Sequence, residues 1–118
     1  MQEDLFEPID TEESTPGLMI SIVRKNVVKM SDYGHALINE DEGIDVMVTA
    51  SGVYIAGMGK EDTLIRINKK SKTITHQAFY NILTDNEYKK KAEWVFESSD
   101  HVFDNVSWIK IKLNNISQ

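Results

Sequence analysis

The stretch Gly52-Val53-Tyr54-Ile55-Ala56-Gly57-Met58-Gly59-Lys60 spaces Gly52 and Gly57 like the two glycines of a phosphate-binding loop. That loop needs Lys directly after the second glycine and then Ser or Thr, so that backbone amides and one ammonium meet phosphate oxygens. Met58 occupies the lysine position, Lys60 comes two residues late and Glu61 follows. Gly57 and Gly59 read instead as the end of a hairpin. In Asn39-Glu40-Asp41-Glu42-Gly43-Ile44-Asp45, four carboxylates offer oxygens to a hard cation. A calcium loop alternates its acids ahead of the glycine and places a bidentate Glu six residues after it. That place holds Thr49, so the stretch reads as a solvated turn. His35, His76 and His101 lie far apart, without paired metal spacing. His101 lies near Asp100 and Asp104, an acid–base pairing that no nucleophile elbow or oxyanion motif supports. Neither a catalytic constellation nor a metal or cofactor site is expected.

The elements that would carry these residues follow from periodicity. Leu18, Ile20 and Ile22 alternate, Arg24-Lys25-Asn26 reads as a turn, and Val27–Met30 as the return strand, with a further short strand around His35–Ile38. The clearest signal is the alternation of Ile44, Val46, Val48 and Ala50 with Asp45, Met47 and Thr49. Ser51-Gly52 supplies the turn, and Val53, Ile55 and Gly57 continue on the returning strand. Residues 63–68 and 72–75 suggest another hairpin about a lysine-rich turn, with Ile65 and Ile67 on one face. The period then becomes helical. Phe79, Ile82 and Leu83 share one face, and Thr84 with Glu87 resembles a capping box for a second helix carrying Tyr88, Ala92, Val95 and Phe96. Ser98-Ser99-Asp100 would end it. Ile109, Ile111 and Leu113 alternate with Trp108, Lys110 and Lys112 in a closing strand, whose lysines suit a sheet edge. The expected class is α+β: an antiparallel sheet of about five to seven strands with one or two helices before a C-terminal strand. Trp94, Trp108, Tyr54 and Met58 fall off the main apolar faces. Either the sheet packs on both faces, or these side chains stack on bases or fill a partner's pocket.

The 118 residues suffice for one domain, and 41% hydrophobic with 27% charged residues is ordinary for a globular chain. No apolar run reaches the length of a membrane span and no signal peptide is visible, so a cytoplasmic protein is the simplest expectation. With no cysteine there are no disulfides or thiolate metal sites. Charge divides the chain. Glu3, Asp4, Glu7, Asp10, Glu12 and Glu13 carry the whole net charge of −6, leaving 13 acids against 13 bases in the remainder. Residues 1–17, punctuated by Pro8, Pro16 and Gly17, are therefore expected to be an acidic N-terminal tail, and residues 18–118 a single α+β domain. A neutral body disfavours direct binding to nucleic acid, which needs an uncompensated basic face. Lys69-Lys70-Ser71-Lys72 and Lys89-Lys90-Lys91 read as a solvated turn and a solvated helix face.

Leu5-Phe6 is the anomaly of the tail, an apolar pair that is costly to leave in water among acids and prolines. Gln2-Glu3-Asp4-Leu5-Phe6 resembles the pentapeptide by which many bacterial replication and repair proteins dock on the DNA sliding clamp. In that pattern a glutamine and a variable residue, commonly Leu, precede Ser or Asp, then Leu and Phe. Gln2, Asp4, Leu5 and Phe6 match, and Glu3 stands at the variable place. The resemblance implies a protein partner, the bacterial sliding clamp, and a non-enzymatic accessory or regulatory protein of the kind a phage or mobile element encodes. Two other classes compete. An acidic mimic of nucleic acid would need a broad negative face on the body, against its even charge balance. A small ligand-binding domain or enzyme would need a pocket that gathers some of the three histidines.

Overall fold

The computed structural model describes residues 16–84 and 92–114. β1 (Leu18–Arg24) and β2 (Val27–Met30) form the first hairpin, in register Ile20↔Met30 and Ile22↔Val28. Its turn holds Asn26 at φ 66, a left-handed conformation that asparagine tolerates. Residues 35–38, expected as a strand, belong instead to α1 (Asp32–Leu37) and its C-terminal cap. The reason lies just upstream. Ser31 is the N-cap, its Oγ accepting the Gly34 N–H at 2.8 Å while donating to the Leu18 carbonyl. Gly34 lets this short helix lie against β1, for a Cβ there would sit 3.0 Å from the Met19 carbonyl oxygen.

β3 (Gly43–Thr49) and β4 (Gly52–Met58) pair along their full length, from Gly43↔Met58 to Thr49↔Gly52. A 3-10 turn (Lys60–Asp62) leads to the two-residue strand β5 (Ile65–Arg66), then to β6 (Thr73–Thr75) and α2 (Gln77–Thr84). β7 (Glu93–Phe103) and β8 (Val106–Leu113) complete the described elements. Among the described residues eight strands make one antiparallel sheet in the order β5-β3-β4-β8-β7-β1-β2-β6. The count exceeds the expected five to seven, with β7 standing where part of the second helix was expected and residues 35–38 leaving the sheet for α1. The two outermost strands, β5 and β6, follow one another in the chain, and the Asn68 N–H donates to the Thr73 carbonyl at 2.8 Å. The sheet therefore curls into a nearly closed barrel, which leaves little free edge.

Two further expectations are corrected. Residues 93–96 are extended rather than helical, and Thr84 lies within α2, its hydroxyl donating to the Tyr80 carbonyl. Tyr88 and Glu87 lie outside the described residues. Trp94 and Val95 are adjacent and both buried, so this part of β7 is covered on both faces and shows no alternation. Nor is β8 an edge strand, since it lies between β4 and β7. Lys110 reaches out of the sheet to Glu97 at 3.5 Å and lays its stem across Gly52, where a Cβ would meet Lys110 Cε at 2.8 Å.

The main core gathers Met19, Ile20, Val28, Met30, Ile44, Ile55, Ile74 and Ile111 from the sheet with Phe79, Tyr80 and Leu83 from α2. A second cluster of Tyr54, Ala56 and Trp108 occupies the other face, supported by Met47, Met58 and Val106. Tyr54, Trp108 and Met58 thus pack on the second face, whereas Trp94 belongs to the main core. Gly57 marks the closest contact between the sheet and the loop after α1. A Cβ there would lie 2.5 Å from the Ile38 carbonyl oxygen and 2.6 Å from Asp41 Oδ2. Gly57→Ala is expected to cost about 1–3 kcal/mol of stability by overpacking, read as a lower urea midpoint with an unchanged slope. No helix among the described residues is long and apolar enough to cross a membrane.

Candidate functional site

The docking segment expected from the sequence, Gln2, Asp4, Leu5 and Phe6, lies outside the described residues. The described chain reaches it from Gly17, whose carbonyl accepts the Phe96 N–H at 2.8 Å just ahead of β1. Residues 7–17 lie between Phe6 and the first strand residue, Leu18.

The three histidines occupy three different settings. His35 is buried in α1, and its Nε2 lies 2.9 Å from the Asp41 carbonyl. A carbonyl only accepts, so Nε2 carries the proton and the ring ties down the loop over Gly57. His76 precedes α2, and its Nδ1 accepts the Phe79 N–H at 3.1 Å in the manner of an N-cap. It borders a hollow of about 530 Å³ with Asp45, Glu61, Asp62 and Arg66. Among the described residues, no three of His, Asp and Glu are grouped as metal ligands. His101 lies on β7, its Nε2 2.8 Å from Ser98 Oγ. That contact resembles a nucleophile beside its base, a pairing that also needs a group to orient the base and donors for an oxyanion. His101 instead meets Ser98 and the ring of Tyr54.

What surrounds His101 is the more developed site. β7 pairs with β1 only through Glu93, Trp94 and Val95. Beyond them its ladder with β8 is broken between Phe96 and Ser98 and again between Ser98 and His101, and Asp100 has φ 69. Such breaks bend a strand. Pairing resumes at His101↔Trp108, Val102↔Ser107 and Phe103↔Val106, closed by Asp104-Asn105 with φ 57 and 64. Two consecutive left-handed residues are the mark of a type I′ hairpin turn. The resulting arm stands over the β3–β4 hairpin, and between them lies a pocket of about 550 Å³. On the hairpin side Thr49 Oγ1, Ser51 Oγ and Tyr54 OH form a hydroxyl row with spacings of 2.9 and 2.9 Å. Across it the Tyr54 and His101 rings meet edge to face at 5.1 Å. Trp108 contributes to the lining, and Val102 and Phe103 complete it while remaining 69% and 59% exposed. Sequence reading missed this arm. Its signal was Asp104-Asn105 between the apolar runs around Val102 and Trp108.

One ion-pair cluster lies apart from the pocket. Glu42 meets Lys69 at 3.0 Å and Lys60 at 3.8 Å, pinning the loop before β3 to the turns on either side of β5. The hydrogen bond from Lys69, followed by its charge, holds the Glu42 carboxyl below the usual range. A lowered folded-state pKa gives stability that is present at neutral pH and lost as pH falls through that pKa. Glu42→Gln is therefore expected to melt slightly below the parent at neutral pH and to converge with it in acid, measured as melting temperature against pH. The effect is small, as befits an exposed pair.

The fold defines an antiparallel α+β class with a nearly closed sheet. Compared with known proteins, the chain matches no family model, no curated protein and no solved structure.

Proposed function

We propose that this chain is a non-enzymatic accessory or regulatory protein that docks on the bacterial DNA sliding clamp through Gln2, Asp4, Leu5 and Phe6. The observation that carries the proposal is the order of those side chains within an otherwise acidic, turn-forming segment. Leu5 and Phe6 fill apolar subsites, each worth about 1.5–3 kcal/mol when fully buried. Gln2 orients the peptide, since its amide both donates and accepts. Pro8 restricts Glu7 and lowers the entropy lost on docking. Against these gains stands the ordering of the segment, about 1–2 kcal/mol for each residue fixed. An affinity on the order of micromolar, about 8 kcal/mol, therefore requires the Gln2 amide and main-chain contacts to add to the two apolar subsites.

Gly17, where the described body meets the segment that leads to the motif, is held through its carbonyl by the Phe96 N–H. The test is a titration of purified bacterial clamp into a labelled peptide of residues 1–12. Saturable binding that an unlabelled copy displaces supports docking. No binding by the peptide or by the full chain refutes it.

A further inference from the structure

We infer that the pocket between the β3–β4 hairpin and the folded-back arm binds an uncharged planar heteroaromatic ring of nucleobase size. The inference rests on the body alone and stands or falls separately from clamp docking. Its volume of about 550 Å³ lies within the range of small-ligand sites, which runs from roughly 300 to 1,000 Å³. No Asp, Glu, Lys or Arg lines it, so a charged ligand would leave water without a counter-charge. The walls are aromatic: Tyr54 and His101 already meet edge to face, and Phe103 presents an exposed ring on the arm. A flat ring entering between hairpin and arm covers Phe103 and gains offset or edge contacts with these π systems.

Two polar features distinguish a heteroaromatic ring from a plain hydrocarbon. The hydroxyl row of Thr49, Ser51 and Tyr54 uses only part of its capacity internally, because each hydroxyl has one donor and two acceptor lone pairs. It can meet a ring edge that carries both donors and acceptors. Trp108 is only 6% exposed, and its indole Nε1–H has no hydrogen-bond partner among the described residues. An indole nitrogen only donates, and a buried donor left unpaired is costly. A ring nitrogen with a free lone pair satisfies it. Because Nε1 is closed to solvent, the acceptor reaches it only as the arm shifts. The broken ladder between Ser98 and His101 and the left-handed Asp100 are where that shift is absorbed.

The probe is adenine, titrated into the full ¹⁵N-labelled chain and followed by the two indole N–H resonances, of Trp94 and Trp108, assigned with Trp94→Phe. The expected result is a saturable shift of the Trp108 indole and of the amides of residues 98–103, with Trp94 unmoved. Tyr54→Ala weakens binding about tenfold or more, the loss of one stacking contact. Tyr54→Phe, which keeps the ring and the packing, weakens it less. A Trp108 resonance that stays fixed up to the solubility limit of adenine overturns the inference. So does equal affinity in the parent and both Tyr54 variants, and so does binding of methyl glucoside in place of adenine, which would make the pocket a sugar site.

Discussion

Phe79→Ala is expected to lower the unfolding free energy by about 3–5 kcal/mol. Phe79 is fully buried in the main core, among the largest side chains to be so. It sits on α2 (Gln77–Thr84), whose described turns depend on tertiary packing more than on helix propensity. Packing of Phe79, Tyr80 and Leu83 is what keeps the helix against the sheet, together with the His76 Nδ1 contact to the Phe79 N–H. Removing the ring leaves a cavity that a nearly closed sheet cannot collapse to fill. Domains of this size have about 5–15 kcal/mol in total, so the variant should sit near the limit of folding at physiological temperature. Phe79→Leu, which keeps most of the volume, should cost under about 2 kcal/mol. Urea unfolding followed by tryptophan fluorescence measures both. A loss below about 1 kcal/mol for Phe79→Ala would mean that α2 does not anchor the core.

Leu5→Ala combined with Phe6→Ala is expected to abolish clamp binding by the full chain. At about 1.5–3 kcal/mol for each side chain, the pair removes roughly 3–6 kcal/mol, or about two to four powers of ten in the dissociation constant. Starting from micromolar, the variant falls below detection. Melting temperature should not change, which separates a lost docking contact from a damaged fold. Asp4→Ala should act more weakly, since an exposed carboxylate contributes mainly orientation and encounter rate. Calorimetric titration with purified clamp measures these effects. Retained micromolar binding by the double variant would show that these two side chains are not the contact.

The parts of the fold that were legible in the sequence are those where one face of an element is wet. β3–β4 shows clean alternation, and its turn was misplaced by a single residue: Thr49↔Gly52 pairing makes Ala50-Ser51 the loop. β1–β2 and α2 lie where expected, but Leu18, Met19 and Ile20 are all buried, and Ile82 is exposed while Phe79 and Leu83 face the core. Even within β3 the alternation overstated burial, since Val48 is 57% exposed where β5 stops covering the strand at Gly43 and Ile44. The illegible parts are those where both faces are covered or where a cap decides. Trp94 and Val95 are buried on opposite faces of β7, so their apolar run fitted a helical stripe as well as a strand. At α1, Ser31 and Gly34 outweighed the short apolar run that suggested a strand. The pocket could not be read at all, because it depends on the bend at Ser98–His101, which brings His101 to Tyr54 across long sequence separation. Of the histidines, His35 ties a loop, His76 caps a helix and His101 lines the pocket.

Docking through residues 2–6 is tested most directly by immobilising the bacterial sliding clamp and passing over it the full chain beside a version lacking residues 1–10. Binding on the order of micromolar by the full chain, and none by the shortened one, is the predicted result. Equal binding by the two, or binding by neither, would contradict it.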